Sequence, residues 1–221
     1  MAKIIRAVIL GAPASGKGTV SSRIIEKFNF QHISVGDQLR LEVKNNSDFG
    51  TEIQKYLNKG ILLPDSLMIE FLTVQINKLA KKSWLLDGFP RTLPQAHALT
   101  PHNLDFVLNL DVPFDIIISR AKNRWVHFPS GRVYNMDFNA PKLFGIDDVT
   151  GEPLAQRADD DPVIVSKRLQ IYEQSTRPVL QYYLHLGILQ TFSGKTTNEI
   201  WPQIEKYLDN YLSEERLINN Q

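Results

Sequence analysis

The sequence predicts an α/β fold: a doubly wound, five-stranded parallel sheet with helices on both faces, interrupted by a small antiparallel insertion. Three observations predict it. Short apolar runs of strand length alternate with longer segments of mixed period, the pattern of strands returned to one sheet by right-handed crossovers. The glycine-rich stretch "GAPASGKGT", residues 11–19, joins the first apolar run to the first helical segment. The alternation then stops between about Asn123 and Asp160, where period-2 patterning with scattered Gly and Pro takes over.

Taken in order, Ile4 to Leu10 is a continuous apolar run ended by glycine, which suits a strand buried on both faces. Thr19 to Phe28 reads as a helix with Val20, Ile24, Ile25 and Phe28 on one side, and "QHIS" as a second strand. Gly36 to Lys44, Asp48 to Leu57 and Pro64 to Leu79 read as three helices. "SWLL" at Ser83 to Leu86 and "LDFVLNL" at Leu104 to Leu110 supply two further buried strands. Arg120 and Arg124, four apart, are expected on one helix and therefore on one face. The Trp, Phe, Tyr and Val content of residues 123–160 favours a folded insertion over a disordered loop. Beyond it, Pro162 to Tyr183 reads as one long helix and Ile188 to Phe192 as the last strand. Asn198 to Tyr211 reads as a terminal helix with a polar tail.

At 221 residues with 43% apolar side chains, the chain suffices for one such domain with an inserted piece. A formal net charge of +1 argues against bulk capture of nucleic acid or of an anionic membrane. The absence of cysteine excludes disulfides, thiolate metal sites and thiol nucleophiles. No apolar run reaches the roughly 18–20 residues needed to span a bilayer. The start "MAKIIRAVIL" runs directly into a strand and leaves no room for a cleavable presequence, although an uncleaved address stays open.

The loop from Gly11 sits where a phosphate loop must, between a buried strand and a helix. Backbone N–H groups along Gly11, Ala14, Ser15, Gly16, Gly18 and Thr19 would face phosphate oxygens, aided by the helix N-terminus, and Lys17 would add a mobile charge. Gly18 replaces the hydroxyl residue that usually ligates magnesium, so metal duty passes to carboxylates acting through water. Asp87 and Asp37, at the carboxyl ends of predicted strands, are the candidates, and either can instead cap a helix. Ala14 fills a position often held by glycine; a left-handed backbone there would cost about 1–2 kcal/mol. Arg40, Arg91, Arg120, Arg124, Arg157 and Arg168 lie at strand ends or beside the insertion. Singly each suits a solvated surface; together they suit a bidentate grip on phosphate oxygens.

With "GDQLR", "LLDGFPRT" followed by Gln95, and "HFPSGRVYN…GIDDVTGEP", the chain resembles the adenylate kinases with a long lid, from Ile5 to Tyr211. Within them "RAVILGAP", "GTVSS", "GIDDVTGEPL" and the stretch around Trp201 look most like the mitochondrial GTP:AMP phosphotransferase branch. The resemblance implies a P-loop-type core of residues 1–33, 64–122 and 161–221, an AMP-binding segment of residues 34–63 and a lid of residues 123–160. It implies Mg²⁺-dependent phosphoryl transfer from GTP, or alternatively ATP, to AMP by a monomer acting on small nucleotides, in the mitochondrial matrix or alternatively the cytoplasm. A short-lid UMP/CMP-type kinase and a weakly active nucleotide-binding regulator are the competing readings.

By the same resemblance Arg40 and Arg91 hold the AMP phosphate, with Gln95 at the adenine and Val35, Ile61, Leu62, Leu63, Gly88 and Phe89 around it. Lys17, Arg124, Arg157 and Arg168 grip the donor phosphates and the group in flight, Arg157 and Arg168 reaching AMP as well. Arg120 stacks near the donor base, which Val133, Tyr134 and Thr196 line. His127, Ser130, Asp147 and Thr150 stand where some relatives bind zinc. Ser and Thr are poor zinc ligands, so a metal-free hydrogen-bonded knot is expected. Val35 replaces a small hydroxyl residue, removing one hydrogen bond to AMP worth about 0.5–1.5 kcal/mol. Ala140 replaces a proline of the lid.

Overall fold

The computed structural model describes residues 3–79 and 81–218. The first two residues of the starting stretch and residues 219–221 of the expected tail lie outside these. Strand β1 (Arg6–Gly11) lies between β3 (Trp84–Asp87) and β4 (Phe106–Asp111), with β2 (Gln31–Ser34) and β7 (Leu189–Ser193) outermost. Every pairing in this five-stranded sheet is parallel. Ala7 and Ile9 point into one core with Leu108 and Leu110, while Val8 and Leu10 point into a second core with Leu86 and Val107. Both faces are covered, which is why the three central strands read as largely apolar runs. The register aligns Ser34 and Ile9 with Asp87, and Gly11 with Leu110, so the carboxyl ends of four strands meet along one edge.

Helix α1 (Lys17–Phe28) buries Val20, Ser21 and Ile24 and ends at Asn29, whose left-handed backbone returns its N–H to the Ile25 carbonyl. Helices α2 (Val35–Lys44) and α3 (Asp48–Lys59) form a tight hairpin. A Cβ on Gly50 would lie 2.1 Å from the Glu42 carbonyl oxygen, so only glycine permits that approach. Helix α4 (Asp65–Asn77) leads to β3, and α5 (Leu93–Ala98), capped by Thr92 accepting from the Gln95 N–H, leads to β4.

Two helical expectations are corrected. Helix α6 (Phe114–Lys122) stops before Arg124, which belongs to strand β5 (Arg124–His127), so Arg120 and Arg124 do not share a helical face. The ladder wins over the helix there: Arg124 pairs with Asn135 of β6 (Arg132–Asn135), and the Asn123 carbonyl accepts from the Met136 N–H at 3.1 Å. The expected single helix after the insertion is interrupted as well. Helices α7 (Pro162–Ile171) and α8 (Arg177–His185) are joined by a wide π-turn, Tyr172–Thr176, in which the Arg177 N–H bonds the Tyr172 carbonyl five residues back. Pro178, lacking an N–H, cannot close an ordinary turn at this point.

The antiparallel insertion is present, with β5 and β6 supplemented by bridges of Val126 to Ala155 and Ile146 to Pro153. Helix α9 (Thr197–Ile218) runs beyond the expected end at Tyr211. No helix among the described residues is long and apolar enough to cross a membrane.

Candidate active site

The carboxyl edge of the sheet opens into a solvent-continuous cleft bordered by Gly11, Pro13, Lys17, Leu62, Gly88, Arg91, Arg168 and Tyr172. Its floor is the loop after β1. Gly11 (φ 149°) and Gly16 (φ 97°) take conformations that L side chains rarely adopt, and a Cβ on Gly16 would lie 2.8 Å from the Thr197 hydroxyl. Ala14 sits at φ 59°, the left-handed geometry in which alanine is strained. Ser15 is fully buried and its N–H bonds the Ala12 carbonyl at 3.2 Å. Gly18 differs: a Cβ there would meet nothing within 4 Å. Thr19 is exposed on the first turn of α1.

Lys17 folds back over this loop, donating to the Gly11 and Ala12 carbonyls at 2.8 Å each. Desolvation lowers its pKa to about 8; nearby Asp87 opposes the shift, while Arg91, Arg168 and Arg124 reinforce it. Arg91 is pushed down to about 10 by desolvation and then by Arg168, and Arg157 to about 10 by desolvation and then by Arg40 and Arg124. Burial also lowers Arg168. These mutual effects place Lys17, Arg40, Arg91, Arg124, Arg157 and Arg168 within one field, although they come from separate elements. Like charges held together out of water favour a polyanion between them.

Three aspartates balance the cations, two of which the sequence reading had missed. Asp160, only 5% exposed, takes Arg124 in a bidentate pair, with Nε donating at 2.7 Å. Asp159 accepts from Arg168 at 2.5 Å. Asp37 accepts from Ser34 Oγ at 2.6 Å and from Arg40, and lies 3.6 Å from Arg157. Desolvation works to raise the Asp37 carboxyl, yet the Arg40 charge and the Ser34 hydrogen bond hold it below its ordinary range. Asp37 therefore serves these side chains rather than capping α2. Asp87, at the end of β3, is 8% exposed.

Arg91 is fixed from several directions. Its N–H donates to Gln95 Oε1 at 2.8 Å and its Nε to the Gly88 carbonyl at 2.8 Å. Gln95 Nε2 in turn donates to Asp65 at 2.8 Å, as does Thr92 at 2.9 Å. Both ends of the Gln95 amide are thus engaged. Val35 and Phe89 are buried in the second core, so they offer main chain rather than side chain to the cleft. Gly88 (φ 89°) leaves room for Arg91, whose Nη2 would lie 3.4 Å from an added Cβ. Of the three residues after Gly60, which caps α3, Leu62 borders the cleft, Leu63 is buried, and the Ile61 N–H bonds the Tyr56 carbonyl.

Between the glycine-rich loop and α9, Arg120, 6% exposed, donates to the carbonyls of Ser15 at 3.2 Å and Lys195 at 2.6 Å. Its guanidinium lies 5.3 Å from the ring of Phe138, a residue the sequence reading did not single out. Thr196 and Glu199 hydrogen-bond reciprocally at the start of α9. Val133 lies in β6, and the neighbouring Tyr134 turns its hydroxyl away into the insertion, donating to Asp147 at 2.9 Å.

The four expected knot residues do come together. His127 Nδ1 meets Ser130 Oγ at 2.7 Å, and Thr150 donates to Asp147 at 2.9 Å through its hydroxyl and 2.8 Å through its N–H. The knot is larger than expected. Arg132 grips both Asp147 oxygens at 2.8 and 2.6 Å, and Glu152 meets His127 Nε2 at 2.6 Å. Arg132 holds the Asp147 carboxyl far below the usual carboxylate range.

Comparison with known proteins agrees with this geometry. The family model described as "Adenylate kinase" matches residues 9–188. The chain is 47% identical over 212 residues to the mitochondrial GTP:AMP phosphotransferase of Drosophila melanogaster, covering 96% of this chain and 98% of that one. It is 44% identical over 213 residues to the mitochondrial GTP:AMP phosphotransferase of Saccharomyces cerevisiae, covering 91% of each. A phosphate loop facing a cluster of arginines, on a chain matched over nearly its whole length, has one reading: the chain belongs to the adenylate kinase family, the nucleoside monophosphate kinases built on this loop.

Proposed function

We propose that this protein transfers the terminal phosphoryl group of GTP to AMP, reversibly, giving GDP and ADP. The observation that carries the proposal is the gathering of Lys17 and five arginines over a glycine-rich loop, where desolvation and mutual repulsion lower Lys17, Arg91 and Arg157. Bringing a triphosphate and a monophosphate together sets about six negative charges side by side. Their repulsion is the barrier that such a cluster removes. The AMP phosphate is already largely ionised at neutral pH, its second pKa being about 6, so no general base is required.

In this reading Lys17 leaves the Gly11 and Ala12 carbonyls for the donor phosphates, joined by Arg124, Arg157 and Arg168, while Arg40 and Arg91 hold the AMP phosphate. Residues 34–63 close over AMP and residues 123–160 over the triphosphate, excluding the water that would turn transfer into hydrolysis. Adenylate kinases generally use Mg²⁺ with the nucleotide, where the ion neutralises phosphate charge. With Asp37 committed to Arg40 and Arg157, Asp87 is the carboxylate left to hold its water shell. The hydrogen-bonded knot replaces zinc in the lid. A mitochondrial location is the companion proposal, drawn from the names of the relatives; a monomer acting in the matrix is what the family resemblance implies.

Initial rates with GTP, ITP and ATP at fixed AMP test the donor. GTP and ITP should outrun ATP at equal concentration. A clear preference for ATP would instead make the protein an ATP:AMP kinase, and no ADP from any donor would leave only a binding role.

A further inference from the structure

The stripe of residues Val165, Leu169, Tyr172, Thr176, Val179 and Tyr183 repeats at spacings of four and three, as an uninterrupted helix would. The two halves nevertheless pack differently. Val165 and Leu169 belong to the core on one face of the sheet, while Val179 and Tyr183 belong to the core on the other. The π-turn Tyr172–Thr176 lies where the chain passes from one to the other, and both its ends border the cleft. Thr176 is 6% exposed, and its hydroxyl donates to the Arg91 carbonyl at 3.0 Å across 85 residues of sequence.

We propose that Thr176, carried on this π-turn, is the positioning residue that aims Arg91 at the acceptor phosphate. Resting on the AMP reading of Arg91 given above, the inference adds a residue on the helical segment after the insertion, away from the glycine-rich loop. The Arg91 peptide is held at its N–H by Gln95 and at its carbonyl by Thr176, with the side chain braced at Nε by Gly88. Removing one clamp leaves a half-buried carbonyl without this partner and lets the guanidinium swing. Catalytic groups displaced by even about 1 Å lose much of their effect. The Thr176 hydroxyl is spent on the Arg91 carbonyl, so its influence is expected to run through Arg91 and to fall on the acceptor side.

The test compares Thr176→Val, which keeps shape but loses the hydroxyl, with Thr176→Ser, which keeps the hydroxyl. Thr176→Val should raise KM for AMP about five-fold or more, about 1 kcal/mol at RT ln 5, and leave KM for the triphosphate within two-fold. Thr176→Ser should restore the AMP value. Equal rises in both KM values, an unchanged AMP KM in Thr176→Val, or failure of Thr176→Ser to rescue would each overturn the proposal. If Thr176→Val does not fold, Thr176→Ala and Thr176→Ser are compared by equilibrium AMP titration well below their melting temperatures, with the same contrast required. Arg91→Ala separates the two levels: an unchanged AMP KM there removes the AMP reading itself, whatever Thr176 does.

Discussion

At the scale of single residues, the most informative position is Ala14. Its φ of 59° puts an L side chain where glycine is the unstrained choice. Glycine would remove about 1–2 kcal/mol of strain but return about 0.4–1 kcal/mol through the greater freedom of the unfolded chain. Ala14→Gly should therefore stabilise the protein by up to about 1.6 kcal/mol, centred on about 0.8, which is about 2–3 °C in melting temperature for a chain of this size. Scanning calorimetry checks this, and a lower melting temperature would mean that the Ala14 methyl, which packs against the first core, outweighs the strain. The spelling of the loop raised this question, but only the dihedral angle answers it. The partners of the arginines could not be read in the same way. Arg124 and Asp160 stand 36 residues apart, and nothing in their local sequence ties them together.

At the scale of elements, the insertion stands on its knot. Asp147 accepts from Arg132, Tyr134 and Thr150, and its own side chain is fully buried. Its folded pKa is depressed, so the stability it supplies is complete above the unfolded carboxylate value of about 4 and is lost as pH falls below that value. The melting temperature of the wild type should exceed that of Asp147→Asn at pH 7, and the difference should shrink as pH is lowered from 5 towards 3. A difference independent of pH would show that the carboxylate charge is not what holds the knot. Strands were legible because apolar runs covered on both faces have no competing reading, as Ile9 and Val107 illustrate. The ends of helices were less so. Spacing of four placed Arg124 on a helix, but pairing with Asn135 decided its geometry. The π-turn was invisible for a related reason: its stripe has ordinary helical period, and the exchange of cores is a tertiary fact.

At the scale of the whole molecule, a formal charge of +1 conceals a strong separation of charge. Six cations share one field at and beside the cleft, and Asp37, Asp159 and Asp160 already occupy several of them. The broad outline of this assembly was legible, since "GDQLR" carries Arg40 on the helix after β2 and "DGFPRT" carries Arg91 just past β3. The acids were not, because neighbouring aspartates after an insertion look like ordinary surface. Their presence makes the cleft an ion exchanger whose resident anions are covalently attached. An incoming nucleotide trades places with carboxylates instead of freeing chloride or other ions into solution. Affinity for AMP or GTP should then fall only gently as KCl is raised, more gently than the number of cation–phosphate contacts would suggest. Titrations from low to physiological salt measure that slope. A steep one would mean that the arginines are neutralised by the solvent, and that the three aspartates yield nothing when product leaves.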